Sequence, residues 1–210
     1  AGSGERLGAD RPKAFVRLGD RPLLAESLER LEASEWIDAI VVAAPPGWEE
    51  PVILLAEELG CGKVAEAVRG GETRSGSVRA ALAHVPDDAA AVVVHDAARP
   101  VLPGEVVDRL LTALNEGWDG AVPVLPVADT LKRVEGDRVL ETVDRSDVAV
   151  AQTPQVFVAS TLRSAVGAEA SDCAALVEAR GGRIKAVRGD PRLLKVTGPD
   201  DLGRVEALLA

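Results

Sequence analysis

Ala89–Pro100 reads AAAVVVHDAARP. Its six apolar residues show no alternation of buried and exposed positions, so both faces of this strand must be covered. That is the pattern of a parallel sheet inside an α/β protein. The run ends at His95-Asp96, which puts a charge at the strand's carboxyl end, where open α/β sheets bind ligands. Upstream, helical spacing in Pro22–Ser34, Glu50–Leu59 and Ser77–His84 alternates with apolar strands at Asp38–Ala44 and Lys63–Val68. Downstream, the amphipathic helix Pro103–Asn115 leads to another apolar strand, Gly120–Val127. The alternation predicts a mostly parallel central sheet with helices on both faces.

The alternation then breaks. Thr130–Val134 and Arg138–Val143 are short, polar strands around Glu135-Gly136-Asp137, a hairpin signal. The hairpin has too little apolar surface to pack a core, and is expected to project as an arm. Val148–Gln152 returns to the sheet, and Val158–Gly167 and Ser171–Ala179 are helical. Arg183–Val187 and Leu193–Thr197 read as final strands, and Pro199–Leu209 as a closing helix. Without repeats or linkers, residues 1–210 are read as a single domain.

Composition narrows the function. The chain has 210 residues, 47% hydrophobic and 28% charged, with a formal net charge of -10. Such a surface repels phosphate backbones, which argues against nucleic acid as a partner. Two cysteines and two histidines leave little material for a zinc site and suit a reduced, cytoplasmic protein. No apolar run approaches the roughly 18 residues of a membrane span. The chain starts without Met, directly in a loop that a buried strand would normally precede, so its N-terminus is expected to be trimmed.

That loop, Ala1–Lys13, reads AGSGERLGADRPK. Gly2 and Gly4 let the backbone approach a ligand, and Arg6 and Lys13 add two positive charges. Exposed amides with Arg and Lys suit a polyphosphate. Spacing excludes two familiar loops: there is no Gly-Lys-Ser/Thr, and Gly8 comes one residue late for G-x-G-x-x-G. Further groups fall at other strand ends. Gly70-Gly71 admit a flat base, and Glu72, Thr73, Arg74 and Ser77 could read its edge. Asp96 is placed to hold a hard cation such as Mg2+, the alternative being that it caps the next turn and pairs with Arg99. Arg99 offers a fork for an anion. Lys195 is a charge in an apolar strand, and Thr153 lies in the polar run Gln152–Gln155. The charged groups of the hairpin could simply be solvated.

In this order, GSGERLGADRPKAF, GGETRSGSV, VHDAARP, DTLKR, VDR, QTPQVF and LLKVTGPDDL resemble the 2-C-methyl-D-erythritol 4-phosphate cytidylyltransferase family of the non-mevalonate isoprenoid route. The resemblance spans nearly the whole chain. It implies a Rossmann-like, three-layer nucleotidyltransferase fold and a homodimer joined through the arm, about residues 129–147. It also implies a Mg2+-dependent reaction of CTP with a polyol phosphate, giving a CDP-alcohol and pyrophosphate. By that match Arg6, Lys13 and Lys195 neutralise phosphate charge in the transition state. Ala1, Gly2, Ser3 and Gly4 contact the nucleotide, while Gly71, Glu72 and Ser77 read cytosine. Asp96 holds the metal between nucleotide and substrate. Thr130 and Arg145 reach into the partner's site to hold the substrate phosphate, with Arg99 and Thr153 assisting. Glu72 stands where Asp is common, and Leu193 where an Asn is expected. Ribitol 5-phosphate cytidylyltransferases share several blocks. A non-catalytic nucleotide-binding module is the reading from another class, and Arg6, Lys13, Asp96 and Lys195 together argue against it.

Overall fold

The computed structural model describes residues 11–167 and 169–209. A 3-10 turn at Lys13–Phe15 is pinned by Phe15, whose ring lies 4.4 Å from that of Trp48. Two short strands, β1 (Arg17–Leu18) and β2 (Arg21–Pro22), pair antiparallel before helix α1 (Leu23–Glu32). Then β3 (Ile40–Ala44), α2 (Glu49–Leu59) and β4 (Val64–Arg69) make a parallel crossover. Gly60, in the left-handed region at φ 70°, ends α2 as a C-cap.

Helix α3 (Arg74–Leu82), capped by Thr73, precedes β5 (Ala91–Val94), and α4 (Gly104–Asn115) connects β5 to β6 (Gly120–Pro126). The hairpin β7 (Leu131–Glu135) and β8 (Arg138–Val143) forms a two-stranded sheet of its own, and nearly all its residues are exposed. It projects as expected. After β9 (Ala149–Ala151) come β10 (Gln155–Val158), α5 (Ala159–Ala165), α6 (Cys173–Glu178), β11 (Ile184–Arg188) and α7 (Pro199–Leu209).

The largest sheet runs β11-β6-β10-β5, with β9 on the edge of β6. β11 is parallel to β6, while β10 runs antiparallel to both β5 and β6, so β5, β6 and β11 share one direction. Neighbouring residues on β10 face opposite layers. Val156 packs with Val106, Val107 and Leu110 of α4, whereas Phe157 packs with Leu162 of α5 and Val177 of α6. On β6, Ala121 and Val122 split between the same two cores. This is the three-layer arrangement the sequence implies. Burying a Phe157-sized side chain contributes about 1.5–3 kcal/mol. Gly120 is required where β6 meets β10: a Cβ there would lie 2.5 Å from the Phe157 ring.

Two sequence expectations need correction. Residues 193–197 are not a strand. Their backbone groups bond to loops instead: the Val196 amide donates to the Ala98 carbonyl at 2.8 Å, and the Leu193 carbonyl accepts from Arg99. Conversely, β10 was not expected as a strand. Four residues following Pro154 give too short a pattern to read, and the ladders on both its edges define it.

Candidate active site

Asp96 follows β5 and is the centre of the site. Its Oδ1 accepts from Arg74 Nε at 3.2 Å, and its Oδ2 from Lys195 Nζ at 2.7 Å. The carboxylate side chain is 17% exposed. The pairing with Arg99 that the sequence left open does not form. Instead the Arg99 amide closes a turn onto the Asp96 carbonyl at 2.8 Å, and its guanidinium reaches Leu193. Leu193 therefore serves through its backbone, and its side chain is buried in the α4 core. Lys195 sits between two anchors, Leu193 and Val196, both fully buried.

The loop around Asp96 is held from several sides. The Asp96 amide donates to Thr153 Oγ1 at 3.1 Å, and Thr153 is itself buried. His95 Nε2 lies 3.0 Å from the Arg99 carbonyl, so Nε2 carries the proton and neutral Nδ1 faces the Thr153 hydroxyl at 3.5 Å. Ser27 and Arg30 of α1 donate to the carbonyls of Ala97 and Pro100.

The Gly-Gly loop folds back on the start of α3. A Cβ on Gly71 would lie 2.7 Å from the backbone of Gly76, so only glycine permits the approach. Thr73 accepts from the Gly76 amide at 3.0 Å, and Ser77 Oγ donates to the Thr73 carbonyl at 2.9 Å. Ser77 thus holds the loop's shape, while Glu72 is exposed.

The structure brings Asp96, Lys195, Thr153 and Arg99 together. It also places Lys13 on the turn fixed by Phe15, partly buried. Ala1, Gly2, Ser3, Gly4 and Arg6 lie outside the described residues. Thr130 and Arg145 stand exposed at the base of the arm, with Arg145 donating to the Ala128 carbonyl. Neither hydrogen-bonds to the Asp96 cluster. Arg74 was read only as a possible reader of a base edge, yet it is the second partner of Asp96. Its signal in sequence is faint: a cation opening the helix after a Gly-Gly turn.

Burial pushes the Asp96 carboxyl up, but the Lys195 hydrogen bond and the Arg74 charge outweigh it and hold the group at about 2. Asp96 is therefore ionised at neutral pH. Among the described residues no cluster of three His, Cys, Asp or Glu could hold a metal. One ionised carboxylate still fits Mg2+, which takes one or two carboxylates plus substrate phosphates.

The sheet thus ends on an ionised carboxylate and a lysine, beside a tight glycine loop. The family model of 2-C-methyl-D-erythritol 4-phosphate cytidylyltransferase (IspD) matches residues 1–210. The chain belongs to that family. It is 44% identical to the enzyme of that name from Frankia casuarinae, covering 100% of this chain and 79% of the relative. To the one from Nocardia farcinica it is 42% identical, covering 100% and 90%. The crystal structure of the Thermus thermophilus enzyme superposes with a TM-score of 0.81 at 38% identity, covering 97% of this chain and 96% of that one.

Two pH windows of stability are expected. Burial lowers His95 from 6.5 to about 4, against the Arg99 hydrogen bond and the Asp96 charge. The unfolded chain therefore binds this proton first, and stability falls by about 3 kcal/mol as pH drops from 6.5 to 4. Asp96, lowered from 3.8 to about 2, contributes about 2 kcal/mol that is complete above pH 3.8 and lost as pH falls through 2. Urea unfolding across pH 2–8 should lose the upper step in His95→Gln and show a smaller lower step in Asp96→Asn, because hydrogen bonds from Thr197 and Gly198 hold Asp201 at about 2 as well. A wild-type profile flat between pH 6.5 and 4 would contradict the buried, neutral His95.

Proposed function

We propose that this chain joins CTP to 2-C-methyl-D-erythritol 4-phosphate, giving 4-diphosphocytidyl-2-C-methyl-D-erythritol and pyrophosphate. The observation that carries the reading is the Asp96–Lys195 pair at the end of β5, beside the Gly71–Ser77 loop. A phosphate oxygen of the polyol attacks the α-phosphorus of CTP, a new P–O bond forms, and the bond to the β-phosphate oxygen breaks. Pyrophosphate leaves with that electron pair. Such a transfer needs alignment and charge neutralisation rather than a protein nucleophile. Arg6 and Lys13 would neutralise the triphosphate, and Lys195 the attacking phosphate. Asp96 would hold Mg2+, which when bound neutralises phosphate charge. The Gly71, Glu72 and Ser77 segment would receive cytosine, and Ala1, Gly2, Ser3 and Gly4 the phosphates and ribose.

The arm supports a homodimer. Val134 and Val139, cross-strand neighbours on one face of it, are both exposed, and Leu140 is exposed on the other face. A two-fold partner would bury the arm and receive Thr130 and Arg145 at its own site, where Arg99 and Thr153 help place the substrate phosphate. Both cysteines are free and buried, which suits the cytoplasm. Among the described residues no helix is long and apolar enough to cross a membrane.

The nucleotide reading predicts at least tenfold higher kcat/KM for CTP than for ATP. A base that leaves the polar groups of the Gly71–Ser77 loop unpaired loses about 1–3 kcal/mol. Comparable values for the two nucleotides would sink it.

For the dimer, Lys13→Ala and Arg145→Ala homodimers should each be nearly inactive. Random exchange at equal amounts makes about half the dimers mixed, each with one site intact and one doubly substituted, so roughly a quarter of wild-type activity should return. No recovery despite demonstrated exchange would place Arg145 outside the neighbour's site.

A further inference from the structure

Asp96 faces a conflict that Lys195 alone cannot resolve. If Lys195 moves to the substrate phosphate, a carboxylate that is only 17% exposed must stay in place without it. Arg74 is the remaining partner, through Oδ1 rather than Oδ2.

The geometry around Arg74 is that of a brace. It is the first residue of α3, and its neighbours are fixed on both sides. Thr73 caps the helix. Ser75 Oγ donates to the Ala170 carbonyl at 3.3 Å and accepts from its amide at 3.2 Å. The guanidinium spans two elements, with Nε on Asp96 and Nη1 on Cys173 Sγ at 3.5 Å, at the start of α6. Burial pushes the Cys173 thiol up, so it is an uncharged partner that leaves the Arg74 charge to Asp96. Nη2 is buried and finds no partner among the described residues. An unmade buried donor costs stability, so this arginine is not placed for stability alone. Arg74 also belongs to the Gly71–Ser77 loop. One side chain therefore ties the loop that would receive the base to the carboxylate that would hold the metal.

We infer that Arg74 is a positioning residue of the transferase: it fixes Asp96 for the metal and couples metal binding to occupancy of the nucleotide loop. The inference rests on the reading of Asp96 as the metal carboxylate. A lysine could supply charge at this position, but not a planar fork spanning Asp96 and Cys173.

The test is calorimetric titration of CTP into the full chain at graded Mg2+, without the second substrate, so that nothing turns over. In wild type, CTP affinity should rise with Mg2+, and Asp96→Asn should abolish the rise. Measured against its own affinity without Mg2+, Arg74→Gln should move the Mg2+ concentration for half the gain upward by about 10–100-fold, the range for residues that orient metal ligands. Arg74→Lys should fall between. Should Arg74→Gln fail to fold by circular dichroism, Arg74→Lys is read in the same way. An Arg74 variant within twofold of wild type, while Asp96→Asn loses the gain, overturns the inference alone. Weakening equal at every Mg2+ concentration also overturns it, because Arg74 would then be a nucleotide contact. Identical curves for wild type and Asp96→Asn overturn the metal reading and the inference together.

Discussion

A carboxylate at the end of a buried strand is stable only while cations face it, and this site is built around that constraint. Asp96 would be costly to ionise where it sits. Arg74 and Lys195 make the charged form the favoured one, and they come from opposite parts of the chain. Removing either leaves the carboxylate on a single cation, and removing Asp96 leaves two cations without their partner. Together the two cations keep the carboxylate charged at the end of β5.

The rest of the fold serves to place these groups. Strand β10 enters antiparallel between β5 and β6, and brings Thr153 to the Asp96 amide and Gln155 to Asp172 at 2.8 Å. Asp172 caps α6, which begins with Cys173 beside Arg74. Residues 193–197 forgo sheet pairing so that their backbone can meet the 96–99 loop, and that choice points Lys195 at Asp96. The two buried faces of β10, Val156 against α4 and Phe157 against α5 and α6, keep the strand from shifting.

Much of this was legible in the chain. The apolar run into His95-Asp96 marked both the sheet and its ligand end, and the polar hairpin marked the arm. Asp96 and Lys195 were singled out separately, and the structure puts them 2.7 Å apart. What was not legible depended on distance in sequence. Arg74 and Asp96 are separated by 22 residues, and no local period relates them. Lys195 suggested a strand because its neighbours are apolar, whereas Leu193 and Val196 are side chains of a loop buried in two different cores. Strand β10 was missed because its identity comes from the two ladders beside it, and a four-residue pattern cannot show them.

The most direct measurement of the central claim is pyrophosphate release from CTP and Mg2+, with 2-C-methyl-D-erythritol 4-phosphate and ribitol 5-phosphate as alternative acceptors. The account predicts pyrophosphate in equal amount to 4-diphosphocytidyl-2-C-methyl-D-erythritol with the first acceptor, and little with the second. Preference for ribitol 5-phosphate, or no pyrophosphate with either, would contradict it.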